Sequence, residues 1–300
     1  YLTVEDIEVD ISKKNLDSLQ QEQELQTILP ANKLQEGFIY QSLNNDTNDD
    51  AYVCSYIFDY DQPINVQMYR RAWKLAQDHF PSLRLALSSE YGTLLQVIPI
   101  HGYLDFNFVT GESVENVVHN QRIMGFDLKK GSLLRVCLVK NDANEYTCVL
   151  TNHHAISDGW SNPVLLNYVH TMYANLMQDK VTEFSDDSAY VNAQRYLSQP
   201  EHIDDEYWQK NLSEPVHPDL NGLFKLQAHE VKLEEVKRIT DPKTKLYRIS
   251  GELYRQLKRF TKENGITTSI VLQYAWHKLL SIYGGVSSTT VGVVNAGRNI

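Results

Sequence analysis

Cysteine is scarce in this chain: three residues in 300, at Cys54, Cys137 and Cys148. The number is odd, no CxxC spacing occurs, and each lies inside an apolar run that reads as a strand. A disulfide framework is therefore not expected. Buried, reduced thiols and a cytoplasmic location are. Long hydrophobic runs are also missing, and none approaches the roughly 18 residues needed to span a bilayer. Positive charge is in deficit. With a formal net charge of −10, no basic stripe is available to neutralise phosphates, so neither a nucleic acid nor a membrane is an expected partner. The simplest consequence of the charge is solubility. The chain begins Tyr1-Leu-Thr without an initiator Met, and its first residues are too polar for a signal peptide. A piece of a longer polypeptide is the expectation.

What is present is an ordinary globular composition. Hydrophobic residues make up 42% and charged residues 22%, enough for a sizeable core in one large or two smaller domains. Residues 1–25 are polar and Gln/Glu-rich and read as a linker with a short helix. Leu34 to Leu43 has helical apolar spacing. Ala51 to Tyr60 reads as a strand, and Pro63 to Phe80 as a helix with Ile64, Met68, Ala72 and Leu75-Ala76 on one face. Leu83 to Leu87 and Leu94 to Ile100 read as two arms of a strand pair. Val114 to Met124 is a helix. Leu133 to Lys140 and Tyr146 to Asn152 are strands around a turn-forming Asn/Asp cluster. A helix opens near Ser161, with Pro163 in its first turn. Further helices are expected at Tyr190 to Leu197, Asp204 to Leu212, Leu253 to Glu263 and Thr268 to Tyr283. Strands are expected at Leu246 to Ile249 and Thr289 to Asn295. A boundary falls between residues 180 and 245.

The most informative stretch is His153-His154-Ala-Ile-Ser-Asp158-Gly159, followed by Trp160-Ser161. It lies on a strand-to-helix connection, where a rigid scaffold can present side chains to a cleft. A neutral imidazole can take a proton from an amine or alcohol, and a glycine admits a close substrate. Together they point to acyl transfer. Adjacent strand residues face opposite ways, so one histidine faces the cleft and the other faces away. The adjacent pair is not a zinc site, since no third ligand lies nearby in sequence.

Six segments, in order, resemble the condensation domain of nonribosomal peptide synthetases, a family of the chloramphenicol acetyltransferase-like superfamily. Leu29 to Leu43 resembles its opening segment, with Gln35, Gly37 and Tyr40. His79-Phe-Pro-Ser-Leu83-Arg84 resembles "RHPxLR". Gly125-Phe-Asp-Leu128 followed by Leu133-Leu-Arg135 resembles "GFDLxxxPLLR". His153 to Ser161 resembles "HHxxxDGWS". Tyr190 with Trp208 resembles the "YxDYxxW…YW" region, and Gly292 to Arg298 resembles "GxxVSGRP". The chain departs from the pattern at Asn192, Ala296 and Asn299, none of them in HHxxxDG.

The resemblance implies an α/β fold of two chloramphenicol acetyltransferase-like lobes in a V-shaped pseudo-dimer, with the second lobe incomplete here. It divides the chain into a linker after an upstream carrier domain (1–25), an N-terminal lobe (26–180), a crossover segment (181–244) and the beginning of a C-terminal lobe (245–300). It implies amide formation between an upstream carrier-bound aminoacyl or peptidyl thioester and the amine of a downstream carrier-bound aminoacyl group. The partners are both peptidyl carrier domains and the adjacent adenylation domain. Substrates arrive on the carriers' 4′-phosphopantetheine arms, so the domain itself needs no cofactor and no metal.

His154 is the residue expected at the reacting atoms, as general base or as a positioning group. His153 is expected to be structural. Asp158 is expected to pair with Arg84, a bond whose one-sided loss costs about 3–5 kcal/mol when buried, or to act as a helix N-terminal acid. Gly159 is a positive-φ turn residue or a backbone N–H donor to the oxyanion. Trp160 and Ser161 pack and cap the helix, and Ser161 can also reach the intermediate. Gln35, Tyr40 and Arg298 are candidates to line the substrate tunnel, with core packing the alternative for the first two and a structural pair for Arg298.

An epimerisation domain shares HHxxxDG, but there the motif continues Val-Ser-Trp, whereas Trp160 follows Gly159 directly. A stand-alone acetyltransferase carries the motif near its C-terminus rather than mid-chain. A heterocyclisation domain would replace the motif with DxxxxDxxS. A dual epimerisation/condensation domain would add a second His-His near its start, where residues 1–50 hold no histidine. A non-catalytic carrier-docking domain is the alternative of a different class, and an intact HHxxxDG counts against it.

Overall fold

A computed structural model describes residues 1–44, 50–141, 145–180, 187–199, 205–211, 218 and 245–294. The chain divides into two units, Tyr1–Ile203 and Asp204–Ile300.

The first unit is built on two sheets. One has the order β1-β4-β3, with β1 Leu25–Pro30, β3 Ala86–Ser88 and β4 Leu95–Pro99, all antiparallel. The other has the order β2-β7-β6-β5, with β2 Val53–Tyr60, β5 Asp105–Thr110, β6 Leu134–Lys140 and β7 Tyr146–His153. Its pairs are antiparallel except β5 with β6, which is parallel. The expected strand pair around Tyr91-Gly92 is β3–β4. Strands β1 and β5 were not expected.

Strand β7 is buried at every residue. Leu134, Val136 and Leu138 of β6, with Cys148 and Leu150 of β7, face the main core. Helices α3 (Val66–His79) and α5 (Ser161–Met177) close that side. Tyr69, Ala72, Trp73 and Ala76 recur three to four residues apart on α3, so they form one fully buried stripe. On the opposite face of the sheet Cys137, Val139 and Val149 pack on Val117 of helix α4 (Val114–Met124). Helix α3 starts three residues later than its apolar pattern suggests. Asn65 caps it by accepting from the Met68 N–H at 3.2 Å, which fixes the first turn after Pro63.

Residues 1–24 are packed rather than loose. Helix α1 (Lys13–Glu22) carries Leu16 and Leu19, which with Ile7 and Ile11 cover Leu25, Ile28, Leu95 and Val97 of β1 and β4. Helix α2 (Lys33–Asn44) follows β1. Helix α6 (Ala189–Ser198) packs on β1 within the first unit, so this part of the expected crossover segment belongs to the N-terminal unit.

The second unit contains helices α7 (Asp205–Asn211), α8 (Gly251–Glu263) and α9 (Thr268–Gly284). The two strands expected in this unit are not formed: residues 245–250 and 289–294 are irregular. A strand needs a neighbour for its ladder of N–H and C=O groups. Among the described residues this unit offers none. No described helix is long and apolar enough to cross a membrane.

Leu150 of β7 is fully buried in the main core. Truncating it to Ala is expected to destabilise the first unit by about 2–5 kcal/mol, read as a lower denaturant midpoint for that unit's transition.

Candidate active site

Strand β7 ends at His153, and the chain crosses to α5 over Ala155 to Trp160. Nearly every residue of this loop is fastened from inside. The His153 N–H donates to Leu133 O at 3.0 Å, the His154 N–H to Tyr52 O at 2.8 Å, and the Ile156 N–H to His153 O at 3.2 Å. Tyr52 holds a left-handed φ of 63°, uncommon for an aromatic residue. Asn152 Nδ2 donates to Ser157 Oγ at 2.7 Å. Asp158 Oδ1 accepts from both the N–H and the Oγ–H of Ser161, at 2.8 and 2.7 Å. Asp158 thus holds the first residue of α5 from just ahead of the helix.

His153 is 3% exposed, and its ring meets the edges or faces of Phe38, Tyr52 and Phe126 at centroid separations of 6.3–6.5 Å. Its Nδ1 accepts from the Ala155 N–H at 3.2 Å, which assigns the neutral ring's proton to Nε2. That Nε2 is buried and makes no hydrogen bond among the described residues. Burial, and secondarily the charge of His154, push the His153 pKa down to about 4. His154 is half-buried, with its ring 5.5 Å from Phe38 centroid to centroid. The two histidines thus occupy different environments, one enclosed and neutral, the other open to solvent on one side.

The other expected residues fall as follows. Arg84 is 2% exposed and donates to the Pro99 and Gln77 carbonyls at 3.0 Å, to the Asp78 carbonyl, and to Gln26 Oε1 at 2.5 Å. Two of these carbonyls end α3, where a cation is favoured by the helix dipole, so the guanidinium is engaged there. Gly159 does not have a positive φ, and a Cβ built on it would meet nothing within 4 Å. Its glycine is not required by the local backbone. Trp160 does not pack: it is 66% exposed. Ser161 is the first residue of α5, whose N-cap position is Trp160, and its hydroxyl donates to Asp158 rather than accepting from a helix N–H. Tyr40 is 72% exposed and Gln35 only 3%. Arg298 lies outside the described residues, and so does the rest of its motif beyond residue 294.

Several contributors were not singled out from the sequence. Asn152, Tyr52 and Phe38 touch the histidines or their loop. Arg135 holds the turn after α4: it donates to the Gln121 and Gly125 carbonyls, pairs with Asp105 at 3.2 Å and lies over Phe126 at 4.2 Å. Phe126 in turn meets His153. The Gly-Phe…Arg spacing of that motif was the available signal.

The first unit is thus a mixed α/β fold that presents a half-buried histidine on a fastened loop after a central strand. The chain belongs to the condensation domain family, whose model matches residues 25–300. It is 32% identical over 287 residues to N-(5-amino-5-carboxypentanoyl)-L-cysteinyl-D-valine synthase of Penicillium rubens, covering 90% of this chain and 8% of that protein. The synthase of that name from Amycolatopsis lactamdurans is 31% identical, and bacitracin synthase 3 of Bacillus licheniformis is 24% identical over 91% of this chain and 4% of that protein. The chain therefore spans less than a tenth of these relatives. Its fold is similar to SgcC5 of Streptomyces globisporus (TM-score 0.64, 19% identity, 90% of this chain and 64% of that one). It is also similar to the condensation domain of Monacolin K polyketide synthase MokA (TM-score 0.64, 13% identity, 87% and 61%).

The depressed pKa of His153 has a stability consequence. The unfolded histidine takes its proton below about 6.5, whereas the folded one waits until about pH 4. Stability is thus full above pH 6.5 and is lost as pH falls towards 4, by roughly 3 kcal/mol in all. The difference in denaturant midpoint between wild type and His153→Leu is expected to shrink or reverse from pH 7 to pH 5; a difference that stays constant would contradict the assignment.

Proposed function

We propose that this chain forms an amide bond between two carrier-bound acyl groups, with His154 at the reacting atoms. The amine of an aminoacyl group on a downstream carrier attacks the thioester carbon of the upstream group. The C–N bond forms, the C–S bond breaks, and the upstream thiol leaves with the proton that the amine sheds. A thioester is already activated, and an α-amine with a pKa near 8 is partly neutral at pH 7. His154 therefore acts chiefly by orienting the amine and stabilising the charged intermediate. The arms that carry both substrates are the phosphopantetheine groups of the partner carriers, one upstream and one downstream. The adjacent adenylation domain loads the downstream carrier.

The observation that carries this reading is the loop itself. The interior fastens its backbone and its Asp158, Ser157 and His153 side chains, and leaves the His154 ring and Gly159-Trp160 to the outside. Membership of the condensation domain family supports the same reaction. On this reading the finer architecture is that of the resemblance, with two acetyltransferase-like lobes in a V and a tunnel for both arms.

Gly159 is the proposed N–H donor to the oxyanion. Its side-chain position is open and its φ is ordinary, so the reason for glycine lies in what approaches it.

In the full-length synthetase, His154→Ala is expected to cut single-turnover product formation by about 10²-fold or more, the scale of a lost catalytic contact. Undiminished product would sink the catalytic reading. Gly159→Ala is expected to leave stability within about 0.5 kcal/mol of wild type while turnover falls at least about tenfold. A destabilised Gly159→Ala protein would show instead that the glycine is structural.

A further inference from the structure

One carbonyl of the loop is held by a side chain far away in sequence. Gln35 Nε2 donates to Ala155 O at 3.2 Å. Ala155 directly follows His154, so this bond fixes the Ala155–Ile156 peptide, one residue beyond the imidazole.

Gln35 is itself held by more than its own helix. At the start of α2 it forms a reciprocal pair with Asn32: Gln35 Oε1 accepts from the Asn32 N–H at 3.0 Å, and Asn32 Oδ1 accepts from the Gln35 N–H at 2.9 Å. This is a capping box with amides in place of a hydroxyl and a carboxylate. The same Gln35 Nε2 reaches Gln96 Oε1 at 3.2 Å and the Tyr190 hydroxyl at 3.3 Å. Gln96 is fully buried on β4 and donates to Pro30 O at 2.8 Å and to Gln194 Oε1 at 3.3 Å. Asn32 Nδ2 also donates to Gln194 Oε1 at 3.2 Å, and the Tyr190 hydroxyl donates to Gln96 Oε1. Burial holds the Tyr190 hydroxyl neutral by raising its pKa. Uncharged side chains of α2, α6 and β4, with the Pro30 carbonyl of β1, thus form one network that reaches the loop carbonyl through Gln35.

We infer that Gln35 is a positioning residue for His154, acting through its hydrogen bond to Ala155 O, with Gln96, Gln194, Tyr190 and Asn32 fixing its amide. Gln35 touches no substrate in this arrangement, because its side chain is enclosed. The inference rests on the proposed role of His154. An imidazole about 1 Å out of place loses rate on the order of 10²-fold without losing substrate affinity. Gln35 therefore governs kcat and not KM.

The test uses the full-length synthetase with loaded upstream and downstream carriers, single-turnover peptide formation and thermal unfolding. Gln35→Met is expected to lower kcat about 10- to 100-fold with KM for the acceptor-loaded carrier within about twofold. Combined with His154→Ala it is expected to add almost nothing further, because both changes remove the same contribution. If Gln35→Met does not fold, Gln35→Glu is read the same way, since its Oε1 keeps the cap to the Asn32 N–H. A kcat at wild-type level, a loss carried by KM alone, or a full additional loss on top of His154→Ala each overturns the inference while His154→Ala itself stays impaired. Wild-type turnover in His154→Ala overturns the reading of the site, and the inference with it.

Discussion

Strand β7 is enclosed on both faces from Tyr146 to His153, and the register of that strand is the constraint on which the site depends. Pairing matches Val53 to His153 on one side and Leu134 to Asn152 on the other. A slip of one residue would exchange the faces of every side chain. It would bury His154 among Phe38, Tyr52 and Phe126 and turn His153 outward. The apolar residues of β7 and β6 on the α3–α5 side, and those on the α4 side, both resist that slip. The identity of the exposed histidine is therefore set by packing well away from it.

The same enclosure explains why the loop after β7 is pinned by polar groups. The chain leaves a dry interior, and each backbone group on its way out must find a partner or lose about 1–3 kcal/mol. Tyr52, Leu133, Gln35 and Asn152 satisfy these groups from four different segments. The amides around Gln35 form a connected buried network, of the kind that rigidifies when complete and destabilises when broken.

The helices of the first unit were legible because their apolar stripes are long and regular, as on α3 and α5. HHxxxDG was legible because its residue types are rare in that spacing. Strands β1 and β5 were not: Leu25–Pro30 contains glutamine and ends in proline, and Asp105–Thr110 alternates polar and apolar residues over only six positions. Their strand character comes from partners, β4 and β6, distant in sequence. The contribution of Gln96 and Gln194 was invisible for the same reason, since a glutamine in a strand or helix carries no sign that it is buried. The carbonyls that Arg84 meets at the end of α3 were not legible either, because a motif's spacing does not show which backbone groups lie beside it. The expected strands at residues 246–249 and 289–295 are not formed over the described residues, which offer them no ladder; Asn295 itself lies outside those residues.

The packing of the first 24 residues bears on where such a domain can be cut. The family match begins at residue 25, which invites an excision or a chimeric junction there. Yet Leu2 is tied to Gln20 through its N–H at 2.6 Å and its carbonyl at 2.9 Å. Ile7, Ile11, Leu16 and Leu19 form the lid over Ile28, Leu95 and Val97. A graft starting at Leu25 would leave one face of the β1–β4 sheet bare and sticky. It would also loosen the strand that leads into Asn32 and Gln35. A recombination point placed ahead of Leu2 keeps the sheet covered, so the useful module boundary lies some two dozen residues upstream of the boundary that similarity alone suggests.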